Sequence, residues 1–504
     1  MPPATDPPHH RVAVVGSGFG GLAAAVRLRE AGFDDLVILE KADDVGGTWR
    51  ENTYPGVACD VPSHVYSLSF APNPGWTRTY SEGGEIWAYL RDVARRHGLY
   101  ERIRFGCELL EAAWDEDARR WRLATSQEPL TADVVVSATG PLHEPAIPDL
   151  PGLDTFAGAA FHSARWDHDH DLRGRRVAVV GTGASAVQFV PRIQPQVARL
   201  MVFQRTAPWI LPRTDRPLRP GEHRLYRAVP GAQRAMRAAI FWARELLVLP
   251  FLHPRLAAGP ERIARRHLER QVRDPQLRRA LSPTHRIGCK RILLSNEYYP
   301  ALTRDNAEVV TDAIREVREH AIVTADGREH EVDTIVFGTG FHVTDMPIGE
   351  RVRGRGGRRL ADVWQGSPQA HLGTIVHGFP NLFLLLGPNT GLGHNSVVFM
   401  MEAQVGLVVA ALRHLRDTGA AALEPRAEAQ AAFVAEMDAR SRGTVWTSGG
   451  CRSWYLDATG RNSTLWPGSS SAFARRLARL RPQELLLTPP PIAAPAPAPE
   501  PALA

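Results

Sequence analysis

Two stretches of this chain repeat one pattern, and the pattern leaves few folds open. Arg11-Val-Ala-Val-Val15 is a short run of apolar residues, as a strand buried on both faces requires. Gly16-Ser-Gly18-Phe-Gly-Gly21 follows, then a helical run from Leu22 to Ala31, then Leu36-Val-Ile-Leu39 and Glu40. Further on, Arg176-Val-Ala-Val-Val180 leads into Gly181-Thr-Gly183-Ala-Ser185-Ala186, a helix, Leu200-Met-Val-Phe203 and Arg205. Strand, glycine turn, helix and strand in this order make a βαβ unit of a parallel sheet. The glycines permit a tight turn and a close backbone approach to a pyrophosphate, which the positive end of the helix dipole favours. One glycine turn alone says little. Both strands, the helix and a charged residue at the same station make each unit a specific signal.

The charged station differs between the two units. It lies 24 positions beyond the first glycine in each case, and carries Glu40 in one and Arg205 in the other. A carboxylate there suits a free ribose 2′-hydroxyl, whereas a guanidinium suits a 2′-phosphate that a carboxylate would repel. The first unit therefore reads as an FAD site and the second as an NADPH site. The expected fold class is α/β, with two Rossmann-like dinucleotide-binding domains and a helical insertion. Pro141, Pro145, Pro148 and Pro151 mark a boundary. Asp333-Thr-Ile-Val-Phe-Gly338-Thr-Gly340 resembles 133–140 and suggests that the chain returns to the first domain. Residues 10–145 and 331–487 are thus expected to form a discontinuous FAD domain, and 146–330 the NADPH domain. Residues 213–286 are Arg-rich and helical in pattern, too long for a loop, and serve either structure alone or the wall of a substrate pocket. Residues 1–9 and 488–504 are expected to be disordered tails.

Composition narrows the function classes. Of 504 residues, 44% are hydrophobic and 23% charged, an ordinary balance for a globular protein. The net charge of +6 is spread without a long basic run, so no nucleic-acid partner is expected. Cys59, Cys107, Cys289 and Cys451 lie far apart without a CxxC pair. Neither a metal site, a disulfide framework nor a dithiol reductase is indicated, and a reduced, cytoplasmic setting is expected. The N-terminus lacks the apolar core of a signal peptide. The stretch 238–258 is apolar but broken by Arg244, Glu245, Pro250 and Pro254, so no integral membrane segment is expected. It reads as a buried helix pair or a lip over an apolar pocket.

Four further segments carry chemistry-bearing residues. Gly46-Gly47-Thr48-Trp49 and Tyr54-Pro-Gly56-Val-Ala-Cys59-Asp60 form a shaped loop, on which Asp60 is either a site carboxylate or a turn cap. Lys290-Arg291 places two adjacent cations before an apolar run, costly if buried and ordinary if exposed. A strand and turn at Phe383–Gly391, including Asn389, precede a helix expected over 395–412. Phe156-Ala-Gly158-Ala-Ala-Phe-His162-Ser-Ala-Arg-Trp166-Asp167 has no clear period and reads as an aromatic hinge in a linker.

Two glycine turns of opposite polarity with Gly-Thr-Gly returns resemble the two-dinucleotide-domain flavoprotein monooxygenases. Within that group, Phe156, Gly158, His162, Trp166 and Asp167 resemble the fingerprint of type I Baeyer–Villiger monooxygenases. The segment from Gly46 to Asp60 resembles a second fingerprint of that family. The likeness covers about residues 10 to 470. It implies oxygen insertion beside a ketone carbonyl through a C4a-peroxyflavin, with FAD, NADPH and O2, to give an ester or lactone. It places the active-site guanidinium on Arg291, its positioning carboxylate on Asp60, and a further catalytic candidate on His162, supporting domain movement and NADPH use. Cofactor contacts are expected from Gly16, Gly18, Gly21, Glu40, Gly47, Thr48, Trp49, Asp60, Tyr66 and Asn389, and from Gly181, Gly183, Ser185, Arg205, Thr206 and Lys290. Arg205 and Lys290 would meet the 2′-phosphate. A monomer or homodimer is expected. The alternative is a flavin-containing monooxygenase acting on amines or sulfides, which needs a protonated oxidant rather than one that a guanidinium holds as an anion.

Overall fold

The computed structural model describes residues 6–491. Two sheets organise it. In the first, β1 (His9–Val15) runs parallel to β2 (Leu36–Leu39) on one side and to β6 (Leu130–Ser137) on the other. β3 (Ile103–Arg104) extends the β2 edge. β4 (Leu109–Asp115) and β5 (Arg120–Thr125) add an antiparallel extension beyond β6. Strand Leu382–Leu384 also pairs with β6, and Val352–Arg353 with β4. β1 is apolar on both faces because both are covered. Val12 and Val14 join one core cluster and Ala13 and Val15 another.

The helix α1 (Phe19–Glu30) packs between β1 and the long helix Val397–Thr418. Among the described residues, that long helix alone is apolar and long enough to cross a bilayer by length and composition. Half of its most apolar window is buried in the fold. At its middle, the Gln404 amide donates to the Gly373 and Leu384 carbonyls at 3.1 and 3.0 Å. It is a core helix.

The second sheet is parallel throughout. Its order is Ala307–Val310, β9 (Arg199–Phe203), β8 (Arg176–Val180), Thr334–Phe337 and β7 (Ala159–His162). Helix Ala184–Ile193 crosses from β8 to β9 with Val187, Phe189, Val190 and Ile193 buried. Residues 213–286 form mostly helices, among them Pro220–Ala228, Pro230–Glu245 and Ala258–Gln271.

Three expectations change. Thr334–Phe337 does not return to the first sheet but sits at the centre of the second, so the boundary expected at 331 falls beyond Phe337. The aromatic hinge is partly a regular element: Ala159–His162 is an edge strand. Gly158 lets it approach, since a Cβ there would lie 2.3 Å from the Asp333 carbonyl oxygen. Of the expected tails, 1–5 and 492–504 lie outside the described residues. His9, however, opens β1, the Thr131 amide donates to the Pro8 carbonyl at 2.9 Å, and Thr488 closes a two-stranded ribbon with Ala422–Pro425.

Candidate functional site

Both glycine turns are built on close backbone approach. Gly16 has φ +100°, and a Cβ on it would lie 2.7 Å from the Ala138 carbonyl oxygen. A Cβ on Gly21 would lie 1.9 Å from the Gly16 oxygen, so only glycine lets α1 start this close to β1. Gly18 caps α1, and a Cβ on Gly47 (φ +52°) would sit 3.2 Å from the Gly18 Cα, leaving no room for a side chain between the two turns. The second unit repeats this: Gly181 has φ +106°, and its Cβ would meet the Gly338 oxygen at 2.5 Å. Gly183 caps helix Ala184–Ile193, with Ser185 in the first turn.

Around the first turn, Trp49 Nε1 donates to the Tyr66 hydroxyl at 3.2 Å, and Tyr66 packs edge-on against Phe19. Thr48 opens the short helix Thr48–Glu51. Glu40 is buried, and its carboxylate accepts from the Ser17 amide and hydroxyl at 2.8 and 2.6 Å and from the Ala42 amide at 2.9 Å. Asn389 is buried. Its side chain donates to the Asn462 and Leu465 carbonyls, so its amide nitrogen ties the turn to the C-terminal loop.

At the second turn, Arg205 is exposed, and the Thr182 hydroxyl donates to the Thr206 carbonyl at 3.1 Å. Burial pulls the Lys290 ammonium below its ordinary value, and the nearby Arg205 charge adds to that. Among the described residues, neither cation has a carboxylate within 4.0 Å. Two like charges left together without a counter-charge fit a bound phosphate.

Arg291 and Asp60 lie 231 residues apart and meet in a forked ion pair. Arg291 Nε donates to Asp60 Oδ2 at 2.9 Å, and Nη2 donates to both carboxylate oxygens at 2.7 Å. Nη1 makes no bond to Asp60, and the Tyr455 phenol lies beside the guanidinium. Asp60 pushes the guanidinium well above its ordinary value, while burial works the other way. Burial works to raise the Asp60 carboxyl, but the Arg291 charge and hydrogen bonds outweigh it and hold Asp60 ionised. The side chains keep 35% and 20% of their surface open, so the pair is reachable. The structure thus brings together two residues that the turns alone did not connect.

Three residues of this neighbourhood were not marked as site residues in the sequence. Arg244, on helix Pro230–Glu245, lends its charge to Asp60. The Arg213 guanidinium donates to the Cys59 carbonyl at 3.3 Å. The buried phenol of Tyr455 lies against Arg291, and burial pushes it up to about 12. Glu245 is fully partnered as well. It accepts from the Ser471 amide at 2.9 Å and the Asn395 side chain at 2.9 Å and pairs with His394 at 3.2 Å. Arg244 and Glu245 were visible only as interruptions of an apolar run.

Cys289 and Cys451 form a disulfide, contrary to the expectation of four unpaired thiols. Sequence spacing held no sign of it, because 162 residues separate the two. It joins the residue before Lys290-Arg291 to the loop that carries Tyr455. Cys59 and Cys107 are free and buried.

His162 lies elsewhere. Its Nδ1 accepts from the Ala164 amide at 3.1 Å, its ring stands edge-on to Phe341, and Nε2 is buried without a partner. Burial pushes it down to about 4, so it is neutral. Trp166 packs between Phe161 and Phe189, at 5.3 Å from each. An open cavity of about 1020 Å³ runs past Arg50, Glu51, Arg165 and Trp166. Its lining does not include Arg291 or Asp60.

Two nucleotide turns and a reachable guanidinium–carboxylate pair are the arrangement of a flavoprotein monooxygenase. A family model described as flavin-binding monooxygenase-like matches residues 9–227. A Baeyer–Villiger monooxygenase of Streptomyces coelicolor is 54% identical, over 94% of this chain and 91% of its own. One from Pseudomonas aeruginosa is 49% identical, over 92% and 89%. A solved structure of a steroid monooxygenase bound to NADP superposes with a TM-score of 0.85, at 32% identity, covering 95% of this chain and 99% of that one. The closed structure of cyclohexanone monooxygenase gives 0.86, at 30% identity, covering 96% and 100%. The chain belongs to the Baeyer–Villiger monooxygenase family.

Proposed function

We propose that the chain inserts one atom of O2 beside the carbonyl of a ketone, giving an ester or lactone, at the Arg291–Asp60 pair. FAD and NADPH are the cofactors, and the residues present suit them. A Cβ on Gly16 or Gly21 would run into backbone oxygens and one on Gly47 would crowd Gly18, so the turn keeps the close, side-chain-free backbone that a pyrophosphate needs. The unpaired Arg205 and Lys290 suit the NADPH 2′-phosphate. When bound, the flavin takes hydride from NADPH and activates O2.

Arg291 then does what a fixed cation can do. It stays protonated at any working pH. Its Nη1, which makes no bond to Asp60, faces negative charge on the oxidant and on the carbonyl oxygen as that carbon is attacked. Asp60 fixes the plane of the fork, and the Arg244 charge adds to that of Arg291 in holding Asp60 ionised. His162 is a neutral, buried support of β7 and acts by positioning the linker. The cytoplasm is the setting proposed for the chain.

The ion pair is the observation that carries the reading. It favours an anionic oxidant, and so ketones over amines and sulfides. The substrate class is a cyclic ketone, as the names of the cyclohexanone and steroid enzymes suggest. The test is NADPH consumption with a ketone panel, product mass by spectrometry, and a thioether in parallel. A product one oxygen heavier than a ketone supports the reading. Oxidation of the thioether alone refutes it.

A further inference from the structure

Helix Pro230–Glu245 has one face spoken for. Gln233 donates to the Asn73 carbonyl at 2.7 Å, Arg237 to the His64 carbonyl at 2.8 Å, and Phe241 packs on Phe399 at 4.6 Å. Arg244 continues this face toward Asp60. The opposite face and the turn that follows it are apolar and open to water. Trp242 is 60% exposed and Leu246 67%, with Met236, Leu247 and Leu249 also exposed. Of the 14 exposed large apolar side chains among the described residues, nine lie within 213–286. Water-facing helix surfaces are ordinarily polar, so this clustering marks a docking surface.

The charge of the same segment says what docks. Residues 213–286 hold 17 arginines, no lysine and six acidic residues, a surplus of 11 positive charges in a chain whose net charge is +6. The rest of the chain is therefore acidic on balance. Arg224, Arg227, Arg234, Arg255 and Arg262 are exposed, without a carboxylate within 4.0 Å among the described residues. A second copy meeting the same patch would set this charge against itself. An apolar ridge with a tryptophan, in a segment rich in exposed arginines, matches the boundary between headgroups and acyl chains of an anionic bilayer.

We infer that the helical insertion docks this enzyme on the surface of a membrane rich in anionic phospholipid. The docking helix carries the site on its other face. An apolar ketone dissolved in the bilayer thus enters beside Arg244 and the Arg291–Asp60 pair, without crossing water. The apolar face supplies depth and the arginines supply selection for charge, so binding requires both.

The test is flotation of the purified holoenzyme with vesicles of phosphatidylcholine alone, or of phosphatidylcholine mixed with phosphatidylglycerol. Binding to the mixed vesicles, weak binding to the neutral ones and release by added salt are expected. The double substitution Trp242→Glu with Leu246→Glu should weaken binding at least about tenfold, while oxidation of a water-soluble cyclic ketone continues without vesicles. Should that variant fold poorly, Arg227→Glu with Arg234→Glu gives the same test through charge. Absence of binding to the mixed vesicles overturns the inference. So does binding that survives both substitutions, or a dimer in light scattering that Trp242→Glu dissociates.

Discussion

Removing the Arg291 side chain should separate the two halves of the reaction. In Arg291→Ala the forked bonds to Asp60 at 2.7 to 2.9 Å vanish, and with them the Nη1 proposed to meet the reacting atoms. The NADPH-side residues Arg205 and Lys290 are untouched. Asp60 keeps the Arg244 charge beside it, so its loop is not left with an uncompensated anion. Loss of one preorganised donor at a developing oxyanion costs on the order of 100- to 1000-fold, or about 3 to 4 kcal/mol of barrier. Flavin reduction should proceed at close to the native rate, with ester formation lowered by that factor and hydrogen peroxide released instead. Arg291→Lys should lose less than Arg291→Ala, because it keeps the charge but cannot fork onto both oxygens of Asp60. Stopped-flow bleaching of the flavin, product mass and a peroxide assay read the three quantities separately. Ester formed by Arg291→Ala at near wild-type rate would mean that the oxyanion is stabilised elsewhere.

Arg205→Ala removes one of two unpaired cations, and a charge-assisted contact of this kind is worth about 1.5 to 3 kcal/mol. KM for NADPH should rise on the order of tenfold or more while KM for NADH holds; an equal rise in both would place the 2′-phosphate elsewhere. Thiol titration of the denatured, unreduced protein should find two reactive cysteines, and four after reduction. Four before reduction would exclude the Cys289–Cys451 bond. That bond constrains the unfolded chain by at most about 5 kcal/mol, and a reductant should lower Tm. Burial holds His162 and His285 near 4, against 6.5 for the ordinary imidazole. Between those values the unfolded chain binds protons that the folded chain refuses. Stability should therefore be full above about pH 6.5 and fall as pH drops toward 4, by at most about 3 kcal/mol per histidine. A Tm that stays level from about pH 7 to about pH 5 would contradict this.

The repeated βαβ unit was legible because its causes are local. Glycines at Gly16, Gly21 and Gly181 answer to atoms of their own unit and of the next strand. The misplaced boundary has the same origin. Residues 133–140 and 333–340 do resemble each other, but as equal stations of two units. The carbonyl of Ala138 crowds Gly16 as that of Gly338 crowds Gly181. Resemblance between strands reports a position in a sheet and not which sheet holds it.

The candidate site was legible to different degrees for reasons of chain distance. No local pattern can pair Asp60 with Arg291 or Cys289 with Cys451, since each pair closes only when the two sheets and the insertion are assembled. The family fingerprint named the first pair and was silent on the second. Arg244 and Glu245 stand between these extremes. A cation and an anion inside an otherwise apolar stretch must each find a partner or lose their hydration without return. Their presence at 244–245 therefore required two polar destinations on the covered face of a helix. The structure supplies that of Glu245 as His394, Asn395 and the start of helix Ser470–Leu477, whereas Arg244 has only the charge of Asp60 nearby and keeps its Nε buried without a hydrogen bond. Glu245, one of the residues that ruled out a spanning segment, is what fastens this end of the insertion, leaving the apolar side of that helix facing outward.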